Sequence, residues 1–179
     1  MKSALLIIDV QEALCTGEWA MFDIERVLDT VNGLSARARA AGVPVVLVQH
    51  EEDEGSMQFG SDGWQLAKGL SVSAADARVR KKTPNSFLRT DLQTLLQAKH
   101  IERLIVCGLQ SDFCVDTTVR QALALGYHVT LAEDAHSTMD NGVLTATQIT
   151  AHHNTTLEHL TSFGPRVLLL PAAEVTVEA

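Results

Sequence analysis

Residues 105–120 read IVCGLQSDFCVDTTVR, and this stretch decides the fold. Its apolar start predicts a buried strand that breaks at Gly108, and the apolar residues after Cys114 recur at the spacing of a helix. A cysteine where a strand gives way to a helix lies beside backbone N–H groups that have no partner within the helix. That setting is expected to lower the pKa of the thiol, which makes Cys114 a candidate nucleophile. The alternative is a buried structural cysteine that packs as a small apolar side chain.

Apolar runs alternate with stretches of helical period along the rest of the chain. We expect strands over residues 4–8, 43–48, 78–82, 103–107, 127–132 and 167–170. We expect helices over residues 23–41, 90–99, 115–125 and 145–160, and a long loop over residues 50–73. This order predicts one domain over residues 1–179, an α/β three-layer α/β/α sandwich with a six-stranded, mainly parallel sheet.

Composition and charge restrict the partners and the compartment. The chain has 14 lysines and arginines against 22 aspartates and glutamates, and its net charge of −8 argues against nucleic acid or an anionic membrane as partner. Three cysteines without a paired spacing are typical of a reducing compartment; we expect Cys15 in a loop and Cys107 in a core strand. The apolar run at residues 4–8 is too short for a signal peptide, and no run is long enough to cross a bilayer. We therefore expect a cytoplasmic protein.

Three segments bring reactive side chains to one edge of the predicted sheet. Asp9 follows the first strand, Lys81 and Lys82 end the third, and Cys114 follows the fourth. In a parallel sheet these positions lie at the carboxyl ends of the strands, where ligands bind. A thiol, a carboxylate and a cation together are what thiol-dependent acyl transfer requires. Taken singly, Asp9 could be a cap and the two lysines a solvated strand end.

These residues resemble the motifs of the isochorismatase-like cysteine hydrolases, the superfamily that includes nicotinamidases and N-carbamoylsarcosine amidohydrolase. The similarity extends over nearly the whole chain and is carried by LIIDVQ at residues 6–11, VRKKTPNSFLRTDL at residues 79–92 and VCGLQSDFCV at residues 106–115. No single motif is specific, but their order and spacing together are. The resemblance implies a Rossmann-like fold and a hydrolase that acts on non-peptide C–N bonds.

The resemblance also implies roles for individual residues. Asp9 matches the general base and acid, Cys114 the nucleophile, and Lys81 the cation between them. Adjacent residues of a strand face opposite ways, so only one of Lys81 and Lys82 can enter the site, and the spacing to the Ser-x-Phe element favours Lys81. A cis peptide bond at Leu109–Gln110 is implied as well, with the backbone N–H groups of Gln110 and Cys114 forming the oxyanion hole.

The pocket and the metal content are further expectations. The candidate pocket residues are Gln11, Trp19, His50, Trp64 and Phe113, although Trp64 could equally anchor the long loop. Nicotinamidases bind a metal through an Asp-x-His element and further histidines after the second strand. Here His50 is followed by no other histidine before His100, so we expect neither a metal nor another cofactor.

The sequence thus predicts a cysteine-dependent hydrolase that cleaves a C–N bond of a small amide or ureide through a thioester. Two alternatives remain, an isochorismatase-type ether hydrolase, which does not need the thiol, and a non-catalytic small-molecule binding module of the same fold. We also expect a homo-oligomer, a dimer or larger, because the helix over residues 145–160 carries apolar residues on more than one side. These residues are Leu144, Ile149, Ala151, Leu157 and Leu160. The identity of the substrate is not encoded in any motif.

Overall fold

The computed structural model describes residues 1–178, and within them six parallel strands form one sheet. The strands are β1 (Ser3–Ile8), β2 (Val45–His50), β3 (Ala77–Lys81), β4 (Arg103–Leu109), β5 (His128–Ser137) and β6 (Val167–Leu170). Their order across the sheet is β3-β2-β1-β4-β5-β6. The strand order reverses between β1 and β4, and in doubly wound sheets the ligand crevice lies outside the carboxyl ends at this point. The predicted α/β sandwich with a parallel sheet is confirmed.

Helices cover both faces of the sheet. Residues 1–178 contain α1 (Glu12–Cys15), α2 (Ile24–Ala40), α3 (Leu92–Ala98), α4 (Asp116–Ala124) and α5 (Ala146–Glu158). Alternate residues of β1 point to opposite faces. Leu6 and Ile8 belong to the core under α3, α4 and α5, and Leu5 and Ile7 belong to the core under α2. Burial on both faces explains why β1 is apolar at every position after Ser3.

The expected elements differ from the observed ones mainly where strands end. β4 continues to Leu109 and β5 to Ser137, because a register shift between Val106 and Gly108 lets the two strands pair again beyond the irregularity. The short helix α1 was not expected. Cys15 is therefore a buried helical residue and not a loop thiol, whereas Cys107 is a fully buried strand residue as expected.

Gly108 brings β4 unusually close to β1. Its φ is +114°, and a Cβ atom built at this position would lie 2.1 Å from the carbonyl oxygen of Ile8. A side chain would therefore require both a strained backbone and a separation of the two strands. The contact lies directly before Asp9 on one strand and before Leu109 and Gln110 on the other, so it fixes the distance between the two chain segments that leave the sheet here.

Most of the apolar residues in and beside α5 on which the expected oligomer was based face the protein's own core. Ile149 and Leu157 are buried in the core and Leu160 packs half-buried against it, which leaves Ala151 and Leu144 as the exposed apolar residues of the set. One apolar stripe is what a helix covering a sheet needs. The homo-oligomer stays a prediction. No helix within residues 1–178 is both long enough and apolar enough to cross a membrane.

Candidate active site

A buried lysine joins an aspartate to a cysteine at the carboxyl edge of the sheet. The Nζ atom of Lys81 donates a hydrogen bond of 2.7 Å to Oδ2 of Asp9 and lies 3.2 Å from Sγ of Cys114. The side chains of Lys81 and Asp9 are 0% and 1% exposed. The structure therefore brings together the three residues that the sequence singled out from three separate segments.

The two neighbouring lysines are separated by the alternation of β3. Val79 and Lys81 point inward, while Arg78 and Arg80 point to solvent. Lys82 continues this alternation on the outside, where it forms an ion pair with Asp53 and is 59% exposed. The lysine in the cluster is thus Lys81, the one that the spacing to the Ser-x-Phe element favours.

A hydrogen bond fixes the backbone of Asp9, but only one of its two carboxylate oxygens has a hydrogen-bond partner among residues 1–178. Its φ is +52°, and its N–H donates to the carbonyl oxygen of Val48 at 2.9 Å. Oδ1 is buried and has no hydrogen-bond partner among residues 1–178. An unpartnered oxygen of a buried carboxylate is costly, by about 1–3 kcal/mol or more. This oxygen is free to accept a proton from a group that enters the site.

Cys114 lies in a π-helical turn, Ser111–Val115, that connects β4 to α4. The turn is anchored from below by Ser111, whose Oγ lies 2.8 Å from Nδ1 of the buried His136 and 3.2 Å from Oγ1 of Thr150. Because the anchor is buried, the turn holds the partly exposed thiol in a fixed place above the sheet. The π-helical turn was not predicted, since local sequence patterns do not distinguish it from an α-helical start.

The expected effect of the helix on the thiol is wrong for the resting protein. Burial raises the pKa of the Cys114 thiol to about 12, and the Asp9 carboxylate acts in the same direction while the Lys81 ammonium opposes it. The physical reason is that the loss of hydration around the buried thiol, together with the neighbouring Asp9 carboxylate, outweighs the Lys81 ammonium. The resting thiol keeps its proton and needs a base to become a nucleophile.

The segment before Cys114 offers a free backbone donor. The Leu109–Gln110 peptide bond is cis. The N–H of Gln110 has no acceptor among the described residues, whereas its carbonyl oxygen accepts from the N–H groups of Phe113 and Val115. Gln110 and Cys114 both line the cavity described below, and their role as an oxyanion hole stays a prediction.

The cluster opens into a cavity of about 240 Å³. Of the expected pocket residues, His50 and Phe113 line it, together with Asp9, Gln110 and Cys114. It is also lined by four residues that the sequence did not indicate, namely Leu14, Glu52, Met57 and Pro84. Glu52 and Met57 lie in the long loop, whose lack of periodicity gave no signal for which side chains turn inward.

Three expected pocket residues do not line this cavity. Gln11 is fully buried, and its side-chain amide binds the backbone of His50 and Trp64 instead. Trp19 is 66% exposed in a short 3-10 turn. Trp64 packs edge-on against Phe59, 4.8 Å between ring centroids, and its carbonyl oxygen accepts from Gln11 and Gln49. Trp64 therefore anchors the long loop, the second of the two roles considered for it.

His50 contacts the cluster as a neutral ring. Its Nδ1 lies 3.2 Å from Nζ of Lys81. Burial lowers the pKa of His50, and the Lys81 ammonium lowers it further, against opposing contributions from nearby carboxylates. A neutral ring can accept a hydrogen bond from the ammonium through Nδ1. His50 thus helps to hold Lys81 in place without adding charge to the site.

Among the described residues, Asp9, His50 and Cys114 form the group that could hold a metal ion. Ligand atoms of Asp9, His50 and Cys114 lie within 4.8 Å of one another. Nζ of Lys81, however, lies 2.7–3.2 Å from an atom of each of them, so an ammonium ion already occupies the position between the three ligands. Because a metal would have to displace a buried, paired lysine, the donor set does not fit a resident ion.

Metal chelation tests this conclusion. We expect that prolonged treatment with EDTA followed by gel filtration leaves the thermal unfolding temperature unchanged and any hydrolytic activity intact. Added zinc should inhibit, since thiolate and imidazole bind it well. Loss of activity on chelation, with recovery on adding zinc or manganese, would reassign His50 as a metal ligand.

Known proteins resemble this chain over most of its length. Residues 3–167 match the family model described as Isochorismatase domain. A streptothricin hydrolase of Streptomyces noursei is 41% identical over 138 residues, which cover 76% of this chain and 50% of that protein. A ureidoacrylate amidohydrolase of Caulobacter vibrioides is 27% identical over 170 residues, which cover 74% of this chain and 76% of that protein. The chain spans about half the length of the streptothricin hydrolases that it matches.

Solved structures give the same result. A crystal structure of an isochorismatase family protein has a TM-score of 0.86 at 38% identity, and the match covers 94% of this chain and 98% of that one. N-carbamoylsarcosine amidase from Thermoplasma acidophilum has a TM-score of 0.80 at 24% identity over 98% of this chain and 99% of that one, a likeness of fold alone. The match of residues 3–167 and the similarity to these proteins show that the chain belongs to the isochorismatase family.

Proposed function

We propose that the chain is a cysteine hydrolase that cleaves a C–N bond of a small amide or ureide through a thioester intermediate. One observation carries the proposal: the buried Lys81 ammonium lies between the Asp9 carboxylate and Sγ of Cys114, at 2.7 and 3.2 Å. The names of two relatives, a hydrolase of streptothricin and an amidohydrolase of ureidoacrylate, support hydrolysis of this bond type.

In the first half of the proposed reaction, Asp9 removes the proton of the Cys114 thiol. We assign the buried Oδ1 atom as the acceptor, since it has no hydrogen-bond partner among residues 1–178. The sulfur then attacks the carbonyl carbon of the substrate, and the backbone N–H groups of Gln110 and Cys114 stabilise the negative oxygen. When the tetrahedral intermediate collapses, the C–N bond breaks and Asp9 gives its proton to the leaving nitrogen. A thioester on Cys114 and a free amine or ammonia result.

In the second half, water releases the acyl group. Asp9 takes a proton from a water molecule, whose oxygen attacks the thioester carbonyl carbon. The C–S bond breaks, the carboxylic acid product leaves, and the proton on Asp9 returns to the sulfur. Each group is then in its starting state, so the cycle consumes only substrate and water.

The Lys81 ammonium has an electrostatic role in this cycle. Burial and the Asp9 charge hold the pKa of the thiol at about 12, so the free thiolate is scarce at neutral pH. When the proton moves from sulfur to Asp9, the negative charge moves from one neighbour of Lys81 to the other. The ammonium therefore stays paired throughout, and the transfer does not leave an isolated charge in a buried site.

The alternatives fit these contacts less well. A binding module has no need for a thiol beside a buried ion pair, whose desolvation costs several kcal/mol per ion. An ether hydrolase of the isochorismatase type does not need the thiol either. Burying the Lys81–Asp9 ion pair costs free energy, and the pair is arranged around Cys114. This arrangement favours the thiol-dependent reaction.

A panel of small amides and ureides tests the proposal. We expect some of them to release ammonia or amine, and acid quenching during turnover should trap an acyl adduct on Cys114 that mass spectrometry detects. Release of ammonia or amine by a protein whose Cys114 has been replaced would contradict the thioester mechanism. Binding of the compounds with neither product nor adduct would support the binding module.

Replacing Asp9 by asparagine separates the base from the nucleophile. Asp9→Asn should lose turnover by at least about a hundredfold, the lower end for a general base. It should also lower the pKa of the Cys114 thiol, because the carboxylate that raises it is gone while the Lys81 ammonium that lowers it remains. The rate of alkylation by iodoacetamide against pH measures this pKa.

The matched control for that experiment is Asp53→Asn. Asp53 is an exposed carboxylate paired with Lys82 outside the site, so its loss should change neither turnover nor the alkylation profile. An alkylation profile of Asp9→Asn that moves to higher pH would contradict the assigned electrostatics. Full turnover by Asp9→Asn would remove it from the mechanism.

A further inference from the structure

The long loop carries three consecutive acidic residues with different surroundings. Glu51 is paired with Arg80 at 2.7 Å, and Asp53 is paired with Lys82. Arg80 lies on the outer side of β3, and Lys82 directly follows the end of this strand on the same side. Glu52, between them, accepts no hydrogen bond and forms no ion pair through its side chain with residues 1–178. It is also the member of the three that faces the cavity above Cys114 together with His50.

The position of Glu52 is fixed by the loop backbone. Its N–H donates to the carbonyl oxygen of Met57 at 3.0 Å, and a bridge pairs it with Gln58. Residues 52–58 thus fold back on themselves at the mouth of the cavity. Met57, on the other side of this bend, lines the same cavity, so the loop presents an apolar surface and one carboxylate side by side.

Glu52 is a solvent-exposed carboxylate at this cavity whose charge is not paired by a lysine or arginine of residues 1–178. The Asp9 carboxylate is compensated by the Lys81 ammonium in direct contact with it. His50 is neutral because burial and Lys81 lower its pKa. The residues that line the cavity include no lysine or arginine. A ligand in this cavity therefore meets one uncompensated negative charge, that of Glu52.

We propose that Glu52 is a specificity-determining residue that selects amides or ureides bearing a cationic group, an ammonium or guanidinium, over those bearing a carboxylate. The inference rests on the proposed hydrolysis of a C–N bond at Cys114. A cationic group on the substrate replaces water at the exposed Glu52 carboxylate and supplies the opposite charge that no residue of 1–178 gives it. A carboxylate in the same place meets repulsion and finds no cation with which to pair.

The apolar part of the lining limits the rest of the substrate. Leu14, Met57, Pro84 and Phe113 surround the cavity, whose volume is about 240 Å³. Such a cavity accepts a compact unit with an apolar body between the reacting carbonyl and the cationic group. The proposed substrate class is accordingly a small amide or ureide that bears a cationic group.

The first test compares substrates that differ only in charge. In a series of amides with one acyl group and an ammonium, a hydroxyl or a carboxylate at the far end, kcat/KM should be highest for the ammonium compound. Glu52→Gln should lower the ratio of kcat/KM between the ammonium and hydroxyl compounds by about two- to fivefold, mainly through KM, as expected for one exposed charge pair. Glu54→Gln removes an exposed carboxylate from the same loop, outside the cavity, and should leave that ratio as in the parent protein.

The second test does not depend on turnover. Methanethiosulfonate reagents that carry either an ammonium or a sulfonate modify thiols at rates that reflect the local charge. For Cys114 the ratio of the ammonium rate to the sulfonate rate should exceed one in the parent protein, fall several-fold in Glu52→Gln and stay unchanged in Glu54→Gln. An unchanged ratio in Glu52→Gln overturns the inference, whether or not any amide is hydrolysed.

The two ideas can fail separately. If amides are cleaved through Cys114 with no preference for cationic members, the specificity assigned to Glu52 is wrong and the proposed hydrolase remains. The charge preference of Cys114 modification could depend on Glu52 while no amide forms an adduct. In that case the proposed hydrolase is wrong, and so is the inference as a statement about amide substrates. What remains is a cavity that prefers cations.

Discussion

Replacing Cys114 by serine is expected to reduce turnover by at least about a thousandfold, as removal of a catalytic nucleophile does in other hydrolases. A serine hydroxyl keeps the shape of the side chain but holds its proton far more tightly than a thiol. Asp9 would then face a proton that it cannot remove at neutral pH. The measurement is kcat for the best amide of the panel, with the thioester adduct followed by mass spectrometry.

The fold should survive this substitution. Cys114 is partly exposed in a turn that Ser111 and His136 anchor from below, and it packs at the border of the core and not within it. Urea unfolding should therefore give a free energy within about 1 kcal/mol of the parent protein, the range of mild substitutions. Cys15→Ala, in a helix outside the site, is the control that should retain turnover. Loss of the fold in Cys114→Ser would mean that the cysteine is structural.

Replacing Lys81 by methionine is expected to abolish turnover and also to destabilise the protein by about 3–5 kcal/mol, the cost of breaking a buried ion pair by removing one partner. The variant leaves the Asp9 carboxylate buried without its ammonium. Lys82→Met removes the neighbouring lysine, whose pair with Asp53 is exposed, and should affect turnover and stability little. Urea unfolding and kcat of the two variants measure the contrast.

A double variant separates stability from catalysis at the same pair. In Asp9→Asn combined with Lys81→Met neither charge is buried, so much of the stability lost in Lys81→Met should return, while turnover should not. A Lys82→Met variant that loses more activity than Lys81→Met would transfer the role to Lys82. A double variant as unstable as Lys81→Met would show that the lost stability does not come from the carboxylate of Asp9.

The sheet was predictable because its central strands are buried on both faces. β1 and β4 are apolar at consecutive positions, a pattern with few alternatives in a chain of this length. The cluster of Asp9, Lys81 and Cys114 followed from the same reasoning, since carboxyl ends of parallel strands meet at one edge. The alternation of a strand predicted only that one of Lys81 and Lys82 enters the site. The choice of Lys81 came from the resemblance, through the spacing to the Ser-x-Phe element.

The cavity and the state of the thiol were not predictable in the same way. Which side chains of the long loop turn inward depends on contacts such as those of Gln11 with the backbone of Trp64, between residues far apart in the chain. No periodicity marks such contacts. The pKa of Cys114 depends on a balance between burial, Asp9 and Lys81 that only the distances determine.

The close approach of Gly108 to Ile8 has a consequence for how this site can diverge during evolution. Asp9 directly follows Ile8, and Gln110 follows Gly108 by two residues, so almost any substitution at Gly108 would move the proposed base relative to the proposed oxyanion donor. Two side chains that line the cavity, Glu52 and Met57, are attached to a loop that does not share this contact. Descendants of such a protein can therefore exchange one substrate for another by changing loop residues one at a time, and they inherit the reaction chemistry unaltered.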